Sequence, residues 1–131
     1  MSRLQRWLRF NAVGALGVVL QLSLVTLFAR AVHLPISLAA ALAVELTLLA
    51  NFTLHRRFTW PAAASSRPWW PELLRFHLGN GLVSLTGNTL LTPLLTHHGL
   101  PIVAANATAI AICSTANFAL AAVWIFSGPA T

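Results

Sequence analysis

Four stretches of the chain are apolar for longer than a water-soluble protein tolerates. Residues 10–29 run for twenty positions without a charge, and residues 35–54 for twenty with Glu45 alone. Residues 76–96 and 101–126 follow, twenty-one and twenty-six positions with no charge at all. A helix rises about 1.5 Å per residue, so about 20 residues cross a hydrocarbon core of ~30 Å. Inside that core each peptide group must bond within its own segment, which makes helices of runs this long. The predicted fold is therefore all-α, with four transmembrane helices. Composition points the same way. The chain is 57% hydrophobic and 8% charged, whereas about a quarter of a soluble domain is charged. Arg3, Arg6 and Arg9 ahead of the first stretch imitate a signal peptide. The apolar core is too long for one, and Ala29-Arg30-Ala31 is a poor cleavage site.

Charge placement gives the expected orientation. The chain has eight arginines, no lysine and two acids. A nucleic-acid binder would gather such cations on one face; here they flank the apolar runs. Arg3, Arg6 and Arg9 precede the first run, and Arg56, Arg57, Arg67 and Arg75 lie between the second and third. Only Arg30 lies in a turn on the other side. The positive-inside rule then puts both termini and the middle segment in the cytoplasm. The turns at 31–34 and 97–100 face out, across a cytoplasmic (inner) membrane. The single Cys113 lies within an apolar run, so no disulfide framework exists.

The chain also repeats itself. Shifted by 66 residues, 9–60 aligns with 75–126 without a gap, with fifteen of 52 positions identical. Seven of the fifteen are neither Ala nor Leu: Arg9/Arg75, Phe10/Phe76, Thr26/Thr92, Pro35/Pro101, Ile36/Ile102, Asn51/Asn117 and Phe52/Phe118. Two crossings per copy is an even number, so both copies enter from the same side and the repeats are parallel. The expected organisation is one membrane domain over 1–131: repeat one at 9–60, a linker at 61–74 and repeat two at 75–126. Pro61, Pro68 and Pro71 with the intervening Ala-Ser run read as linker, and Trp69 and Trp70 as headgroup-level anchors. Arg3, Arg6 and Arg9 share one helical face opposite Leu4, Trp7 and Leu8, the pattern of a short interfacial helix.

Within the spans, Pro35 and Pro101 open helices, and Pro93 is expected to kink the third crossing. Gly14, Gly17, Gly79, Gly81 and Gly87, with the Ala105–Ala109–Cys113 row, read as close-packing positions. Asn106, Cys113 and Asn117 form one stripe on the fourth helix, matched by Ala40, Thr47 and Asn51 on the second. Asparagine facing lipid is costly, so these stripes serve either interhelical hydrogen bonding or contact with a polar ligand. Glu45 lies at mid-span, where a charge costs roughly 2.5–3.5 kcal/mol and marks a functional position by default. Gln21, Thr86 and Asn88 are its candidate neighbours at that depth. The polar intramembrane set is thus Gln21, Glu45, Asn51, Asn88, Asn106 and Asn117. Arg9, Arg56, Arg57 and Arg75 bracket the helices where a cytoplasmic phosphate would sit, and guanidinium pairs bidentately with phosphate. No metal-ligand spacing, cofactor motif or nucleophile–base set is present, so no enzyme, cofactor or metal is expected; His97-His98 alone is weak.

These residues resemble the GtrA-like family over nearly the whole chain. Arg9-Phe10 with Val13-Gly14, and the run Asn51-Phe52-Thr53-Leu54-His55-Arg56-Arg57-Phe58-Thr59-Trp60, carry the resemblance, with Arg75-Phe76 and Asn117-Phe118 in the second repeat. Ala121 and Ala122 stand where the first repeat is basic, so a phosphate role at that end rests on the first repeat. The resemblance implies non-enzymatic translocation of a polyprenyl-phosphate-linked sugar for cell-surface polysaccharide synthesis or modification. It also implies a membrane glycosyltransferase as partner, which leaves a scaffold for that enzyme as the alternative; a homo-oligomer is compatible with either. A proton-coupled small multidrug-type transporter ranks third, because dual insertion is at odds with the seven-to-one arginine bias.

Overall fold

The structure is a computed structural model that describes residues 1–127, apart from the side chains of Asn88 and Ile102. It is helical, with no strand among the described residues, and divides into two compact units, Met1–Ser66 and Arg67–Thr131.

The first unit is a helical hairpin. Helix α1 covers Arg3–Thr26 and continues through a π-helical turn at Leu27–Ala31. Ser2 and Gln5 form a capping box at its start, Gln5 N donating to Ser2 Oγ at 3.2 Å and Ser2 N to Gln5 Oε1 at 2.9 Å. The basic N-terminal residues are therefore the first turns of α1. They do not form the separate interfacial helix that their amphipathic pattern suggests, because nothing between Arg9 and Phe10 breaks a helix. Helix α2 covers Ile36–Leu54, again prolonged by a π turn at His55–Thr59, and the short α3 covers Pro61–Ser66.

The second unit repeats the plan. Helix α4 covers Trp69–Thr86, a π turn follows at Gly87–Leu91, and α5 covers Thr92–His97. Helix α6 covers Ile102–Leu120 and ends in a π turn at Ala121–Ile125. The 66-residue shift carries α2 onto α6 and the π turn after one onto the π turn after the other. Much of the expected linker is helical: α3 takes up its first part, and α4 begins at Trp69 instead of at Phe76. Pro93 is absorbed locally. The π turn ends just before α5, which leaves Pro93 in the first turn of that segment, directly after the widened turn.

The packing is inverted relative to a soluble protein. Ala39, Ala43 and Thr47 on α2 and Ala105, Ala109, Cys113 and Asn117 on α6 are buried four residues apart, while Leu16, Val19, Leu22, Leu85, Val103 and Ile110 are exposed. Small residues bring helices close enough for dispersion contacts, and large apolar ones meet lipid. Asn106 falls off this stripe, its place taken by Ala105. At Gly17 the approach is close: a Cβ there would lie 2.5 Å from Asn51 Nδ2 and 2.6 Å from Oδ1. Gly87 likewise holds no more than the Cys113 sulfur beside it, whereas Gly14 and Gly81 face open space.

The two hairpin turns use one device. His33 (φ 59°) and Gly99 (φ 98°) are left-handed, hold equivalent repeat positions, and are each followed by Leu-Pro. Among the described residues three helices are long and apolar enough to cross a membrane: Arg3–Ala31, Ile36–Thr59 and Val103–Ile125, with mean hydropathy 2.1, 1.7 and 1.7. The chain is a multi-pass membrane protein by that measure.

Candidate functional site

The densest chemistry gathers where α1 begins and α2 ends. Phe10 stacks on His55 with ring centroids 4.4 Å apart and planes at 16°. Trp60 closes the cluster edge-on, 6.0 Å from each ring. All three are buried. His55 Nδ1 lies 3.3 Å from Thr59 Oγ1, also buried. This aromatic plug fixes the π turn His55–Thr59, whose last carbonyls have no partner farther along the helix.

Arginines take carbonyls at this end, one in the π turn and one in α3. Arg9 Nη1 donates to the Phe58 carbonyl at 2.9 Å, and Arg56 Nη2 to the Ala63 carbonyl at 3.0 Å. A cation at a helix C-terminus also complements its dipole. A guanidinium has five N–H donors, so the Arg9 bond orients that group without exhausting it. Arg9 and Arg57 are exposed and Arg56 is half-buried. Three of the four arginines expected at a phosphate site thus share one end of the first unit.

The fourth belongs to the second unit, in the equivalent arrangement. Arg75 Nη1 donates to the Trp124 carbonyl at 3.4 Å, and Phe76 is buried beneath it with Ala121, Ile125 and Phe126. Ala121 replaces His55, so this plug is wholly apolar. Arg67, read from sequence as an orientation signal, has a structural post. It donates to the Phe126 carbonyl at 2.7 Å and to that of Ser127, and its Nε lies 3.6 Å from Glu72 Oε1. Glu72 is 3% exposed and was not singled out in the sequence. The legible signal was an acid in the first turn of α4, five residues after an arginine.

The intramembrane polar residues do not converge in one place. Asn51 lies half-buried over Gly17, and Gln21 is half-buried on α1. Glu45 is exposed on α2. In the second unit Asn117 is buried and Nδ2 lies 3.4 Å from Ser84 Oγ, to which it donates. Asn106 is exposed and accepts from Thr92 Oγ1 at 3.3 Å. The Asn88 side chain lies outside the described residues. An open cleft of about 450 Å³ in this unit is lined by Leu82, Leu90, Leu91, Ile112, Gly87 and Cys113 among others. Among the described residues no three His, Cys, Asp or Glu side chains are grouped to hold a metal.

What the arrangement offers chemically is a set of preoriented guanidinium groups at a helix end, over an aromatic plug, in a chain built for lipid. A sequence model of the GtrA/DPMS transmembrane domain matches residues 9–126, the span from the first repeat's Arg9 to the last residue of the second repeat. No curated protein matches the chain significantly.

Proposed function

From a chain that belongs to the GtrA/DPMS transmembrane-domain family, we propose a non-enzymatic translocator of a polyprenyl-phosphate-linked sugar. It crosses the cytoplasmic membrane four times with both termini inside, and serves cell-surface polysaccharide synthesis or modification. The observation that carries this reading is the anchoring of Arg9 on the Phe58 carbonyl beside Arg56 and Arg57. A guanidinium held by one N–H presents its remaining donors in a fixed plane, which suits the bidentate geometry of phosphate. Exposed Phe58 lies in the same π turn as Arg56 and Arg57, and exposed Trp124 holds the equivalent position in the second repeat, as expected of aromatic side chains at headgroup depth. Seven of the eight arginines lie on what would be the cytoplasmic side, which supports the orientation.

The experiment is transport in reconstituted vesicles. Arg56→Lys keeps charge but loses the planar fork, and it is expected to slow translocation about tenfold with insertion and yield unchanged. Wild-type rates in Arg56→Lys and Arg56→Gln alike would reduce the arginines to helix caps. That outcome would favour a second reading, a membrane scaffold for a partner glycosyltransferase. The capping bonds of Arg9 and Arg56 give it specific support, since a scaffold needs those arginines only as caps.

A further inference from the structure

Four polar side chains follow one another at four-residue intervals down α2 and its π turn: Thr47, Asn51, His55 and Thr59. Thr47 is 5% exposed, His55 3% and Thr59 0%, and the Asn51 Oδ1 atom is enclosed. The equivalent positions of the second unit read Cys113, Asn117, Ala121 and Ile125, so three of the four rungs are polar in the first repeat alone. A buried polar ladder in a helix of mean hydropathy 1.7 needs a physical reason.

Thr47 supplies the clue. Thr26, Thr53, Thr89, Thr96, Thr108 and Thr115 each donate their hydroxyl to the carbonyl four residues back. That is the ordinary solution for a helical threonine among apolar neighbours. Thr47 does not adopt it. Its Oγ1 is buried without a hydrogen-bond partner, and so is Asn51 Oδ1 one turn on. Burying a hydroxyl and a carbonyl unpaired costs about 1–3 kcal/mol each, and the rotamer that would satisfy Thr47 is left unused.

Donor and acceptor are complementary, yet no hydrogen bond joins them. Side chains four apart on a helix have Cβ atoms about 5–6 Å from each other. Two successive hydrogen bonds through a water oxygen, each about 2.8 Å, cover that span. We infer that the α1–α2 seam of the first unit holds an ordered water bridging Thr47 Oγ1 and Asn51 Oδ1. The Ala43 carbonyl, whose second lone pair the Thr47 hydroxyl leaves open, is a third partner, which meets the two to four contacts a buried water needs. Gly17 makes the seam possible, because a side chain there would displace the Asn51 amide. Below the water, His55 and Thr59 continue the polar line to the helix end. The inference does not depend on what the protein carries.

Water-edited solid-state NMR on the full chain in phospholipid vesicles tests it. Magnetisation from water is expected to reach the Thr47 and Asn51 side chains several-fold faster than the methyls of Ala39 and Ala43, buried on the same stripe. Transfer to Thr47 and Asn51 no faster than to those alanines would overturn the site. Thr47→Val provides a second readout by removing the hydroxyl at nearly constant shape. A bridging water predicts loss of fast transfer to Asn51 and a thermal midpoint lower by a few degrees. In a dry seam the valine only removes an unpaired hydroxyl, so an unchanged or raised midpoint would overturn the inference as well.

Discussion

Arg9 and Arg75 perform the same act 66 residues apart: each donates from Nη1 to a carbonyl 49 residues downstream, that of Phe58 and that of Trp124. The contact thus belongs to the repeat itself. The bond is shorter in the first repeat, 2.9 against 3.4 Å, and only there do Arg56 and Arg57 stand beside it. Arg9→Gln is therefore expected to impair transport more than Arg75→Gln, by about tenfold, at similar expression. Initial rates in vesicles containing each variant decide this, and equal losses would argue against a headgroup site weighted to the first repeat.

The glycines separate by what lies beside them. Gly17→Ala puts a methyl against the Asn51 amide and is expected to cost about 1–3 kcal/mol, the usual range for overpacking. Gly14→Ala meets open space and gains helix propensity, by up to about 1 kcal/mol. Thermal midpoints in one detergent should therefore move in opposite directions.

His33 carries a left-handed backbone that Gly99 carries at the equivalent turn. That conformation costs a residue with a Cβ about 1–2 kcal/mol, and glycine gives back part of the gain as chain entropy. His33→Gly is expected to stabilise by about 0.5–1 kcal/mol, while His33→Val destabilises. Denaturation midpoints of the two variants, measured beside wild type, check the pair.

How much of this was legible beforehand varies with the kind of signal. The helices and their repetition followed from apolar run length and from pairs such as Pro35/Pro101, because lipid leaves the backbone no other solution. The π turns were hidden. No residue type marks the extra residue, and only Pro93 hinted at one of them. Glu72 was legible only as an acid five residues after Arg67; the bonds that post Arg67, to the carbonyls of Phe126 and Ser127, are contacts that no local window contains. Asn106 shows the limit of stripe counting. The polar stripe through Asn106 and Cys113 is off by one position at Asn106, whereas the small-residue row Ala105–Ala109–Cys113 is the buried one.

Reporter fusions test the orientation. Fusions after Ser2, near Ser65 and after Thr131 are expected to report cytoplasm, and one at His97 the outside. A periplasmic signal at Ser65 would undo the positive-inside argument and the proposed face of the arginine cluster.

Glu45, exposed on α2, is expected to matter for transport rather than for packing. Glu45→Leu should then keep the thermal midpoint. Glu45→Gln, which keeps size and hydrogen bonding but cannot carry the charge, should slow transport several-fold. Equal rates for Glu45→Gln and wild type would remove a role for the charge.

Each π turn also acts as a phase shifter. One residue more than an α-helical turn requires rotates everything beyond it by about 100°. Between α4 and α5 the slip falls at Gly87–Leu91, so Trp69–Thr86 and Thr92–His97 present azimuths that no single helical wheel can represent. Deleting one residue from Gly87–Leu91 would bring the two halves back into step. The segment Thr92–His97 would then turn Thr92 away from Asn106, so a one-residue deletion in the π turn would change contacts beyond it.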